Sequence, residues 1–170
     1  MATPADLLLD GFGRVPDLVD AAVDGLTADQ LTHRLDPEAN TVAWLVWHLA
    51  RVEDLSLADA FGAEQVWLAG GWSERFGLPL GDDDMGYGHD AEQVAAVRVD
   101  SPDLLSGYYR AVAARTAEHL RFVTAEDLDR VVDRSYDPPV TLAVRLVSVL
   151  EDVTQHVGQA ALLRGVLTRS

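Results

Sequence analysis

The sequence predicts an all-α fold, a four-helix bundle, and three observations carry that prediction. Apolar residues recur at helical spacing in four long stretches. The breaks between those stretches hold cap residues, glycine or proline. No convincing run alternates apolar and polar residues as a half-buried strand would.

The first helix is expected from Pro4 to Asp24, with Leu7, Leu8, Phe12, Val15, Leu18 and Val19 apolar, Gly25 as its stop and a kink at Pro16. A brief helical turn near Thr27 leads to the loop Asp36-Pro37-Glu38-Ala39-Asn40, after which Asn40 or Thr41 caps a second helix running to about Ala60. The stretch from Phe61 to Asp90 is rich in glycine and aromatics, so it reads as a long ordered loop whose length suits a functional role. It can carry the chain back along the bundle, which makes a crossover topology the expected one. A short helix near Ala91 to Val97 follows. Ser101-Pro102 then supplies a cap and a first-turn proline for the third long helix, to about Val123. Thr124-Ala125-Glu126-Asp127 opens another short turn, Asp137-Pro138-Pro139 forbids helix, and Thr141 caps a fourth helix ending near Leu167.

A length of 170 residues, 48% of them hydrophobic, suffices for one domain with a real core, so residues 1–170 are read as a single domain. No run reaches the roughly 18 to 20 apolar residues of a membrane span, and the N-terminus lacks a basic segment with a cleavage site, so a cytoplasmic location is expected. The formal charge of −15 repels phosphate backbones and anionic lipid, which argues against nucleic acid and membrane partners and leaves a small-molecule substrate. All basic residues are arginine and isoleucine is absent, a pattern that GC-rich coding DNA explains without recourse to function. The chain has no cysteine, so any thiol chemistry must use a thiol carried in by a ligand.

In the fourth helix Leu142, Leu146, Val149, Val153, His156, Ala160 and Leu163 step by three and four, tracing a seam toward the core. Leu45, His48, Val52 and Leu55 do the same in the second helix, so two helices each aim an imidazole inward. Asp152 lies one turn before His156, the spacing at which two side chains of one helix can share an ion. Two readings stand side by side. Each histidine can be a buried residue satisfied by a protein partner, with Asp152 a flanking surface acid. Alternatively His48, Asp152 and His156 hold a divalent cation, which removes the cost of burying a carboxylate.

The segment Asn40 to Asp54, NTVAWLVWHLARVED, resembles the second-helix signature of the DinB-like superfamily in its actinobacterial mycothiol-transferase-like branch. Asp152 to Gly165, DVTQHVGQAALLRG, resembles the last-helix signature, and Gly70-Gly71-Trp72 and Gly86-Tyr87-Gly88-His89 are also similar to that branch. The resemblance implies a four-helix bundle, usually a homodimer, with a metal triad of histidines and an acid. It places His48, Asp152 and His156 on the three ligand positions, aspartate standing where many members carry histidine or glutamate. Two imidazoles and one carboxylate leave open coordination positions, with zinc the first candidate and nickel, manganese or iron as alternatives. The implied activity is transfer or isomerisation using a low-molecular-weight thiol; a metal-dependent hydrolase and a non-catalytic metal-binding or stress-response bundle are the competing readings.

Other residues carry weaker expectations. Arg51 is a candidate for contact with an anionic substrate or for a surface pair with Asp54, and His89 for the site or for loop packing. Trp44, Trp47 and Trp72 are read as core or interface, His33 and His119 as structural, and Arg164 as an ion-pair partner. The Phe61 to Asp90 loop is expected to lie over the bundle mouth near His48 and shape the substrate pocket, or else to cover the core or a dimer interface with Trp67, Trp72 and Phe76.

Overall fold

The structure, a computed structural model, describes residues 1–169. It is an all-α bundle whose first corner is a kinked pair, α1 (Pro4–Gly13) and α2 (Val15–Val23). The break comes at Arg14, two residues before the expected kink, because Pro16 in the first turn of α2 has no N–H to continue the α1 ladder. Phe12, Val15 and Val19 are buried, whereas Leu7 and Leu18, expected on the same stripe, are exposed. Thr3 and Asp6 cap α1 reciprocally, and Thr27 with Gln30 does the same for α3 (Ala28–Leu31).

The second corner is α4 (Val42–Phe61), capped by the Thr41 hydroxyl, which accepts from Trp44 N–H at 3.0 Å, and closed by left-handed Gly62. The stretch expected as a loop contains two short helices, α5 (Val66–Ala69) and α6 (Trp72–Phe76). Their interior faces hold Trp67, Trp72 and Phe76, all buried against Tyr108, so aromatic burial rather than a long apolar period orders them. The irregular segment 77–90 then leads into α7 (Ala91–Ala96). The third corner is α8 (Pro102–Leu120), with Ser101 as its cap.

The fourth corner is α9 (Leu142–Leu167), which Thr141 caps. A single 3-10 turn (Asp127–Asp129) and a two-stranded antiparallel ladder, β1 (Val131–Asp133) with β2 (Val140–Thr141), precede it. That ladder corrects the expectation of no strand: three residues against two are too few to show alternation in sequence.

Helix α4 packs along α9 and α8, and α2 packs along the same two. Hence α2 and α4 are diagonal, as are α8 and α9, so these two connections cross the bundle, whereas the consecutive α4 and α8 pack side by side. Seventeen of the twenty residues of α4 are buried, because α5, α6 and segment 77–90 cover the face that α8 and α9 leave open. In α9 the buried positions are Leu142, Leu146, Val149, Val153, Val157 and Ala160, so Val157 takes the core position expected for His156, which sits at the edge of the seam. No helix among the described residues is long and apolar enough to cross a membrane.

Candidate metal centre

Helices α4 and α9 pack so that one histidine of the first faces an acid and a histidine of the second. His48, Asp152 and His156 each offer one ligand atom, and these atoms lie within 4.8 Å of one another. His48 Nε2 stands 3.9 Å from Asp152 Oδ1, and His156 Nε2 stands 3.7 Å from Asp152 Oδ2. The two imidazole rings meet edge to face at 4.7 Å between centroids. His48 is buried, while the side chains of Asp152 and His156 keep 18% and 21% exposure, so one side of the group is open.

The outer partners fix which nitrogen faces inward. His48 Nδ1–H donates to the carbonyl of Met85, and His156 Nδ1–H donates to Gln159 Oε1 at 3.0 Å, so both rings present Nε2 toward Asp152. Trp44 stacks on His48 at 4.6 Å and meets His156 edge-on at 6.3 Å, bracing both rings. Burial pushes the His48 pKa down to about 4 against the pull of the Met85 carbonyl, so its imidazole is neutral at neutral pH. Burial raises the Asp152 pKa, with His156 opposing. Asp152 Oδ1 is buried and has no hydrogen-bond partner, which is the position a cation would fill.

Segment 77–90 is drawn onto α4 at this point, as expected for a cover near His48. Gly86 has φ +95°, and a Cβ there would come within 2.9 Å of both His48 Nδ1 and Trp44, so glycine is what allows the backbone to close over the ring. Tyr87 lies edge-on to His48 at 5.4 Å. Burial, then the charge of Asp152, raises its pKa.

A family model described as mycothiol-S-transferase matches residues 12–169. The chain belongs to the mycothiol S-transferase family, within the DinB-like superfamily. A crystal structure of a conserved protein from Enterococcus faecalis shares its fold at a TM-score of 0.91 and 31% identity, covering 100% of both chains. No curated protein matches the chain.

Two further candidates in this family member fall elsewhere. Arg51 is fully buried: its expected pair with Asp54 forms, but in the interior rather than on the helix surface, and it touches no open surface. Its guanidinium donates to the carbonyls of Asp82 and Asp84, to Gln65 Oε1 at 2.8 Å and to the Tyr108 hydroxyl at 3.2 Å, and it lies over the Trp67 ring and 3.6 Å from Asp54. It therefore anchors the covering segment rather than a substrate. His89 is the loop-packing residue of its two readings: Nδ1 accepts from Trp44 Nε1 at 3.1 Å and Nε2 donates to Asp84 at 2.9 Å, leaving no free nitrogen for a ligand.

Three supporting groups leave little trace in the sequence. The Met85 carbonyl and Gln159 orient the His48 and His156 rings, and neither residue type announces that role; Gln159 could have been found as the residue one turn after His156. Asp54 accepts from the Val66 and Trp67 amides at 2.8 and 2.7 Å and from the Tyr108 hydroxyl at 2.8 Å, fastening α5 to α4. Trp44, Trp47 and Trp72 are core residues as expected, and Arg164 donates to the Asp24 carbonyl rather than to a carboxylate.

Proposed function

We infer that this member of the mycothiol S-transferase family is a divalent-metal-dependent enzyme that transfers a low-molecular-weight thiol to an electrophilic small molecule. The observation that carries the reading is Asp152 Oδ1, a buried carboxylate oxygen without a partner that faces the Nε2 atom of His48 in a three-ligand group. Imidazoles whose Nδ1 protons are already committed present the Nε2 lone pair that binds a metal. Zinc suits this donor set best, with nickel, manganese and iron as the alternatives that elemental analysis separates.

When bound, the ion supplies Lewis acidity that lowers the pKa of a thiol at neutral pH. The chain itself contributes placement. His48, fixed by Met85 and Trp44, and His156, fixed by Gln159, hold one side of the centre, and the partly exposed Asp152 and His156 leave the other side for ligand. Sulfur has to come from the co-substrate, because the protein has no cysteine. A homodimer belongs to the same proposal, and sedimentation of the purified chain tests it.

The decisive experiment loads the purified protein with zinc, measures metal content, and follows S-conjugate formation from a thiol and an electrophile by mass spectrometry. Turnover above the uncatalysed rate that disappears in His156→Ala supports the reading. Ester or amide cleavage without thiol points instead to a hydrolase, and a protein that takes up no divalent ion overturns the metal centre.

A further inference from the structure

A cleft of about 540 Å³ opens beside the three-ligand group, between α4 and α9. Met85 and Tyr87 form its wall at one end, and both touch His48, Met85 through its carbonyl and Tyr87 through its ring edge. Tyr136, from the β1–β2 hairpin, and Arg145, on α9, also line it. Arg145 is seven residues before Asp152, so about 10 Å of helix rise separates the two. The Tyr87 hydroxyl lies within electrostatic reach of Asp152, Arg145 and Tyr136, and so links the two ends.

Arg145 is held but not used up. One terminal nitrogen pairs with Asp133 at 3.0 Å, while its Nε is buried without a partner. The side chain keeps 23% exposure on the cleft wall, and a carboxylate is the group that pairs with a guanidinium in matched planar geometry. Among the described residues Arg145 is the single cationic side chain on the cleft wall, whereas Asp59 and Asp83, on the same wall, oppose a second negative charge. Tyr87 and Tyr136 are 66% and 63% exposed, so much of each ring is open to a flat group.

Resting on the transferase reading above, we propose that this cleft is the acceptor pocket and that Arg145 selects an elongated electrophile bearing one carboxylate, seated between Tyr87 and Tyr136 with its reactive carbon toward His48 and Asp152. In the reaction the thiol sulfur forms a bond to that carbon, the bond from carbon to the leaving group breaks with its electron pair, and the thiol proton passes to solvent. Arg145 binds the far end and takes no part in bond making.

The test has a binding arm and a kinetic arm, both on the full chain. Calorimetric titration with 4-methylbenzoate, an unreactive probe, is expected to show binding to wild type, at least tenfold weaker binding to Arg145→Gln, and no binding of the corresponding amide. With zinc and the uncharged thiol N-acetylcysteamine, the kcat/KM for 4-(bromomethyl)benzoate relative to 4-(bromomethyl)benzamide is expected to fall at least tenfold in Arg145→Gln. The exposed Tyr136→Ala, which leaves the core untouched but removes the ring that seats the probe, is expected to weaken 4-methylbenzoate binding about threefold and stands in if Arg145→Gln fails to fold. Benzoate binding that ignores both substitutions overturns the pocket whatever the turnover. Arg145-dependent binding with no thiol transfer keeps the pocket and removes the transferase reading. A charge preference that follows mercaptoacetate against N-acetylcysteamine, instead of the electrophile, overturns the assignment to the acceptor.

Discussion

Helices α4 and α9 meet at one site but stand in different surroundings. Of α4, seventeen of twenty residues are buried, including Arg51, Glu53 and Asp54; of α9, six of twenty-six are. The candidate ligand on α4 is a closed-in imidazole clamped by a carbonyl and a tryptophan, whereas the two candidates on α9 are partly open, and one carboxylate oxygen has no partner. The difference separates two tasks. Arg51 and Asp54 are engaged by hydrogen bonds that hold the covering segment in place, and Glu53 by hydroxyls of α8, so all three serve stability. Those of α9 are left incompletely satisfied, which a folded chain tolerates where a ligand completes them. Substitutions in α4 are therefore expected to be read in stability, and substitutions at the α9 ligands in metal binding.

The largest effect is expected from Arg51→Met. It removes the donors to the Asp82 and Asp84 carbonyls and leaves Asp54 buried without its cation, which costs about 3 to 5 kcal/mol for a broken buried pair. Urea unfolding of the metal-free protein measures it. A loss below about 1 kcal/mol would mean that segment 77–90 is held by its aromatic contacts instead and that α4 is less of an anchor than its burial suggests.

Glu53 sharpens the comparison by pH. Its carboxyl is fully buried between Tyr109 and Thr116, whose hydroxyls donate at 2.8 and 2.7 Å, and burial, with Asp54 adding to it, raises the pKa from 4.5 to about 7. The folded state thus binds a proton more tightly than the unfolded chain. The resulting stabilisation is fully present below pH 4.5 and is lost as pH rises through about 7, amounting to about 3 kcal/mol by pH 8. Glu53→Gln keeps the shape without the titration, so the gap in unfolding free energy between variant and wild type should move in the variant's favour by up to that amount from pH 4.5 to pH 8. A gap independent of pH would show that Glu53 stays ionised in the fold.

Much of α9 was legible because its information is local: Thr141 caps it, its seam repeats every three or four residues, and Asp152 and His156 are a turn apart. The same is true of Ser101 and Thr41 as caps. What α4 does was not legible. Arg51 and Asp54 look like an exposed pair three residues apart, and only the return of residues 65 to 84 over that face, with carbonyls at Asp82 and Asp84 and amides at Val66 and Trp67, turns them into interior anchors. Such partners lie 12 to 33 positions away and carry no sequence mark. Helices α5 and α6 escaped for a related reason, since four or five residues cannot display a helical period.

A smaller loss is expected from Gly86→Ala, at the seam between the two regions. The backbone there has positive φ and a Cβ would press on His48 Nδ1, Trp44 and Trp47. The strain costs about 1 to 3 kcal/mol and should also loosen the Met85 hold on His48, so zinc affinity is expected to drop about tenfold. Unchanged zinc affinity alongside lost stability would show that Trp44 alone suffices to orient the ring.

The smallest change in stability, and the sharpest break between the helices, is expected from Asp152→Asn. Asparagine has the shape of the carboxylate but no charge, and the native carboxylate keeps one buried oxygen without a partner, so the metal-free protein gives up nothing by the exchange. Its unfolding free energy should stay within about 0.5 kcal/mol of wild type. Zinc is another matter. A ligand that binds only the folded state raises stability by about 2.7 kcal/mol at a hundredfold excess over its dissociation constant, so wild type should show a clear rise in Tm on adding zinc. Asp152→Asn and His156→Ala should show almost none, because each removes one of three ligands while the apolar seam of Leu146, Val149, Val153 and Val157 still closes the bundle. If either variant unfolds at the temperature where wild type loses its metal, the ion is structural, and α9 depends on the site instead of merely presenting it.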